Sequence, residues 1–92
     1  MVLISKGKID GKPIIRAWES WNGIYWIATE EAWKQDSIIE GKTYKDDQIY
    51  FGFVTGPHIP EWGYFSSTEV SLLFPKVWEL KTTAINWLIK ET

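Results

Sequence analysis

Ile14-Ile-Arg-Ala-Trp-Glu-Ser-Trp-Asn-Gly-Ile-Tyr-Trp-Ile-Ala-Thr29 is the stretch from which the fold is read. Runs rich in β-branched and aromatic residues flank Asn22-Gly23, the dipeptide best suited to a two-residue hairpin turn. The spacing predicts strands over 14–21 and 24–29. Trp21 then faces Ile24, Glu19 faces Trp26 and Ala17 faces Ala28. Because side chains alternate along a strand, these residues and Ile15 share one face. Ile14, Arg16, Trp18, Ser20, Tyr25, Ile27 and Thr29 share the other. Both faces carry large apolar groups. Such a sheet is either covered twice or keeps one side for a partner.

Upstream, residues 2–9 are rich in β-branched residues and end at Asp10-Gly11, a type I′ hairpin signal. Pro13 lacks an amide hydrogen and belongs at a strand start or on an edge. Downstream, residues 30–47 have the weakest pattern. Glu30–Asp36 suits a helical turn or a continued strand, while 40–42 and 45–47 read as loop. Strand resumes at 48–54, where Gly52 signals a bulge or a close backbone approach. Residues 55–63 form a loop rich in Gly and Pro, and Tyr64-Phe65 a short strand. Ser66-Ser-Thr-Glu69 matches a helix capping box, and Pro75 stops the helix it starts. Residues 76–80 read as a last strand. Thr82 or Thr83 caps a terminal helix with Ala84, Ile85, Leu88 and Ile89 on one face. The fold class is α+β: an antiparallel sheet built from N-terminal hairpins, with one or two short C-terminal helices on one face.

Ninety-two residues form a single domain, 1–92. A chain of this size buries only about 60–65% of its unfolded surface. It has no Cys, so disulfides, thiolate metal sites and thiol nucleophiles are excluded. Its single His, His58, excludes a multi-histidine metal site. Aromatic residues make up 16% of the chain and are the alternative filling for a small core. The net charge of −2 is unevenly placed: +3 over residues 1–16 and −4 over 17–47. A mildly acidic chain argues against a dedicated nucleic-acid binder. No apolar run reaches a membrane span, and the first residues lack the pattern of a signal peptide, so the expected location is cytoplasmic.

Trp26-Ile-Ala-Thr-Glu30, Asp47-Gln-Ile-Tyr-Phe-Gly-Phe-Val54 and Glu61-Trp-Gly-Tyr-Phe-Ser-Ser-Thr-Glu-Val70 follow one another in a recognisable order. With Phe74-Pro-Lys-Val-Trp-Glu-Leu80, this ordered set resembles the small family catalogued as domain of unknown function 2958, over roughly residues 24–80. The resemblance implies no chemistry. It implies a context: such domains look like passengers of plasmids, phages and other mobile elements of bacteria and archaea.

Candidate chemistry is sparse. His58 lies between Pro57 and Pro60, near Glu61 and Trp62, but the sequence supplies no nucleophile or orienting group for it. Glu30-Glu31 and Asp46-Asp47 offer oxygen ligands, yet adjacent acids on a strand point to opposite faces, and solvated loop charge is the simpler reading. No phosphate-binding loop or hydrolase motif is present. The expectation is a non-enzymatic binding module without cofactor or metal. Trp18, Tyr25, Trp62, His58 and Glu61 are its candidate contacts for a protein partner, and a homodimer is a further possibility. The alternative is a single-stranded nucleic-acid binder. In that case the aromatic residues stack on bases while Lys6, Lys8, Lys12 and Arg16 follow the phosphates. Aromatic rings beside lysines would favour nucleic acid, and an apolar patch would favour protein.

Overall fold

The computed structural model describes residues 4, 5, 7–55 and 60–81, with Ile4 and Ser5 described by their backbone alone. Strands β1 (Ile4–Ser5), β2 (Lys8–Ile9) and β3 (Lys12–Pro13) make a small antiparallel sheet in that order. Asp10 and Gly11 join β2 to β3 with φ of 49° and 81°, the two positive angles of the expected type I′ turn. Pro13 lies on an edge strand, where a missing donor breaks no ladder.

The larger sheet contains β4 (Arg16–Ser20), β5 (Tyr25–Ile39), β6 (Lys42–Thr55), β7 (Glu61–Ser66) and β8 (Val77–Leu80). Its order is β7-β6-β5-β4-β8, with every neighbouring pair antiparallel. The fold is therefore mostly antiparallel sheet, with one short helix, α1 (Ser67–Ser71), among the described residues. The expected terminal helix falls largely in 82–92, outside them.

The hairpin over 14–29 forms, but its register differs by one residue from the expected one. Trp18 faces Trp26 and Glu19 faces Tyr25. The loop is Trp21-Asn22-Gly23, with Ser20 N donating to Ile24 O at 2.8 Å and Gly23 N to Ser20 O at 3.1 Å. Only Gly23 of the turn dipeptide takes positive φ, at 85°. That is the three-residue hairpin, in which a tight turn is followed by a left-handed glycine. Ser20 favours it locally: its Oγ accepts from Ile24 N at 2.9 Å and bonds the Asn22 side chain. A slip of one residue exchanges the faces. Trp18 thus joins Trp26 and Ala28, and Ala17 joins Ile27 and Tyr25.

Within residues 30–47 the continued-strand alternative holds for Glu30–Asp36, and the loop reading of 45–47 gives way to strand. Strand β5 runs on to Ile39, Glu40-Gly41 makes a tight turn with φ of 51° and 80°, and β6 begins at Lys42. The pairing absorbs irregularities between Ala28 and Glu30, Glu31 and Trp33, and Gln35 and Ser37. Such bulges bend and twist a long hairpin. Gly52 lies beside the first of them. A Cβ there would sit 1.9 Å from the Ile27 carbonyl oxygen, so the glycine marks a close backbone approach.

The expected helix start forms with Ser66 as its N-cap: Ser66 Oγ accepts from Glu69 N at 3.0 Å. Asp47 was read as solvated loop charge; instead it is buried, at 1% exposure. Its carboxylate accepts from Ser37 Oγ at 2.6 Å, from Ser66 Oγ, and from Thr68 N at 3.1 Å. Burial works against its charge, but these hydrogen bonds outweigh burial and hold the carboxyl below its ordinary value.

Two apolar clusters lie on opposite faces of the large sheet. One gathers Ile9, Ile14, Ala17, Ile27 and Phe53, so residues of the N-terminal segment pack over β4–β6. The other gathers Trp18, Ala28, Tyr50, Val77 and Val70 of α1. Around β4 and β5 the sheet is covered twice.

Candidate functional site

Opposed residues of antiparallel strands share a face. The pairs Phe51–Tyr64 and Phe53–Trp62 therefore project together, and so do Trp33 and Ile49. Part of this face is covered by Ile9 and Ile14; beyond them it carries a row of rings. Trp62 and Phe51 stack with centroids 5.9 Å apart, Phe51 meets Tyr64 at 5.1 Å, and Tyr64 meets Trp33 at 5.0 Å. Phe53 supports Trp62 from the core side at 5.3 Å. Trp33 is 47% exposed and Tyr64 62%. Mutual contact holds the rings in place, so little side-chain freedom remains to be lost on binding.

The ends of this ridge differ in chemistry. At one end the Lys12 ammonium lies 5.0 Å from the Trp62 ring centroid. At the other, Trp33 Nε1 donates to Gln35 Oε1 at 2.8 Å. Glu30 is exposed opposite Phe51, so the surface carries both signs of charge.

Trp18 is not available to a partner. It is only 3% exposed, with edge contacts to Phe65 and a tilted contact to Tyr50. The one-residue slip turned it toward the α1 cluster. Tyr25 is half-buried, and its hydroxyl donates to Glu19 Oε2 at 2.8 Å. Burial and the adjacent Glu19 push its pKa up to about 12. Tyr25 and Trp62 do pack against the same cluster. Glu61 is exposed but alternates to the face opposite Trp62. His58 and Lys6 lie outside the described residues.

Among the basic candidates, Lys8 and Lys12 are exposed on the small sheet. Arg16 is committed elsewhere. Its Nε and Nη2 donate to the two Glu79 oxygens at 2.9 and 2.7 Å, and Nη1 donates to Tyr50 Oη at 3.1 Å. Its guanidinium also stacks on Trp18, 4.7 Å from the ring centroid. The Glu79 hydrogen bonds raise the Arg16 pKa against the effect of burial, and Arg16 in turn lowers that of Glu79. An arginine held in this way is a brace between β4 and β8, not a phosphate contact.

Trp33, Phe51 and Tyr64 were not singled out from the sequence. Alternation in residues 49–53 and 62–64 puts Phe51 and Tyr64 on strand faces, but only the pairing of β6 with β7 brings those faces together. Among the described residues, no group of three or more acidic or histidine side chains is placed to hold a metal ion, and no helix is long and apolar enough to cross a membrane. No family model, curated protein or solved structure matches the chain.

Proposed function

We propose that this chain is a non-enzymatic module that binds a protein partner through the Trp62–Phe51–Tyr64–Trp33 ridge. The observation that carries the reading is the exposure of Trp33 and Tyr64 on a row of mutually packed rings. Aromatic anchors of this kind dominate protein interfaces, and a contiguous apolar patch on a small domain marks one. The resemblance to the mobile-element family supports a cytoplasmic setting in which the partner is a host protein, such as a defence or regulatory factor that the module blocks. The finer architectural expectation belongs to the same reading: α1 occupies the face opposite the ridge, with Val70 buried beside Trp18.

The test is affinity capture from host extract with the wild-type chain, Tyr64→Ala and Trp33→Ala as parallel baits. A protein retained by the wild type and lost from both variants, with modest sensitivity to salt, is the expected result. Lys12 over Trp62 favours a second reading, in which the ridge stacks on single-stranded nucleic acid. Binding of oligonucleotides with a steep salt slope, abolished by Lys12→Ala, would replace the protein reading with that one.

A further inference from the structure

The ridge ends at Gln35, and Gln35 also lines a hollow between the distal part of the β5–β6 hairpin and α1. That hollow, of about 350 Å³, adjoins another of about 580 Å³, and the two share Ile38, Ile39 and Glu69. The larger is completed by Glu40, Leu72 and Leu73. Together they form an open trough, polar toward Gln35 and with Ile38, Leu72 and Leu73 as apolar side chains along its walls. Ile38 is 75% exposed, Leu72 45% and Leu73 48%, values unusual for side chains of this size grouped in one place. The rim is acidic. Asp36, Glu40 and Glu69 line it, and no Lys or Arg does among the described residues.

We propose that this trough takes a basic amphipathic segment of the partner protein. The segment's apolar side chains pack against Ile38, Leu72 and Leu73, and its Lys or Arg side chains meet the three carboxylates. The inference deepens the protein-partner reading and rests on it for the identity of the ligand class. Charge complementarity selects the occupant. The three carboxylates outnumber the neighbouring cation Lys42, which stands opposite Ile39 and lies over the Tyr44 ring, so the trough keeps a negative potential that attracts a cationic peptide and repels a polyanion. Continuity supports it as well, because a partner seated on the ridge reaches the trough past Gln35 without crossing other surface.

The experiment is an NMR titration of the full chain with a synthetic peptide of about twelve residues carrying leucines at helical spacing with arginines between them. A twin peptide with glutamates in place of the arginines is the control. The arginine peptide should shift Ile38, Ile39, Leu72 and Leu73, and the glutamate peptide should not. Glu40→Asn combined with Glu69→Gln should weaken binding about tenfold, since charge pairs at an interface rim govern such recognition. Both substitutions suit their sites: Asn accepts the positive φ of position 40, and the cap bond at position 69 comes from the backbone N–H, which Gln keeps. Equal binding of the two peptides, or indifference to the double substitution, would overturn the proposal. So would shifts at the same residues that depend on protein concentration alone, which would give the trough to a second copy of the chain. Tyr64→Ala separates the two readings. Loss of the captured protein with peptide binding intact supports both. A captured protein indifferent to Tyr64→Ala, with peptide binding intact, removes the ridge and leaves the trough.

Discussion

At Gly52 a single added methyl group would meet the Ile27 carbonyl oxygen at 1.9 Å and the Ala28 Cα at 2.9 Å, all of it backbone. Gly63, paired with Gly52 across β6 and β7, has nothing within 4 Å of the corresponding position. Gly52→Ala should therefore destabilise by about 3 kcal/mol or prevent folding, as overpacking in a rigid site does. Gly63→Ala should stay within about 0.5 kcal/mol, as for other open sites. Urea unfolding of the two variants checks the contrast, and equal losses would mean that close approach is not what Gly52 provides. The sequence signalled Gly52 because it interrupts an apolar strand run. It gave no means of ranking the two glycines, since the crowding comes from β5, more than twenty positions away in the chain.

Among the elements, the turns show what local chemistry can and cannot announce. Asp10-Gly11 was legible because Asp tolerates a left-handed backbone. Glu40-Gly41 takes the same conformation with a residue that disfavours it, so the turn between the two longest strands read as loop. Glu40→Asn should relieve that strain and stabilise by about 0.5–1 kcal/mol, measurable as a rise in Tm. The β4–β5 register was misread for a different reason: Ser20 adds a side-chain acceptor for Ile24 N, which the dipeptide rule does not include. The α1 start depends on another long-range contact. Asp47 fastens β6 to Ser37 on β5 and to Ser66 and Thr68 at the helix start. Its carboxyl is lowered from an ordinary value of 3.8, so its stabilisation is present above that value and is lost as pH falls through the lowered one. Asp47→Asn should flatten this acid limb of the stability curve. It should also lower stability by about 2 kcal/mol at neutral pH, because hydrogen bonds to a charged acceptor are replaced by weaker ones. An acid limb unchanged in the variant would assign the loss to other groups, Glu79 first among them.

For the whole molecule, the clusters on the two faces divide the aromatic residues by role. Trp18→Ala should cost about 3–5 kcal/mol, because it empties the centre of one cluster. Tyr64→Ala should cost about 1 kcal/mol or less, since that ring is largely exposed, while removing partner capture. Thermal unfolding beside the capture assay separates the two. The sequence showed that both faces are apolar, but which rings stay open depends on a one-residue register and on where Ile9 and Ile14 come to rest. The first rests on the side chain of Ser20 within the turn, and the second is not encoded locally. One further property follows from the order of strands. Strand β7 closes one side of the large sheet, and its six residues include neither Lys nor Pro. With Glu61 as its one charged residue and no partner on its outer side among the described residues, this edge is a template on which a neighbouring molecule can continue the ladder, so concentrated samples have a route to fibrous or ribbon-like aggregates. Gly63→Lys would place a charge there without a clash, and should lengthen the lag before turbidity in shaken samples while leaving Tm unchanged. An unchanged lag would move the seed of aggregation to another part of the surface.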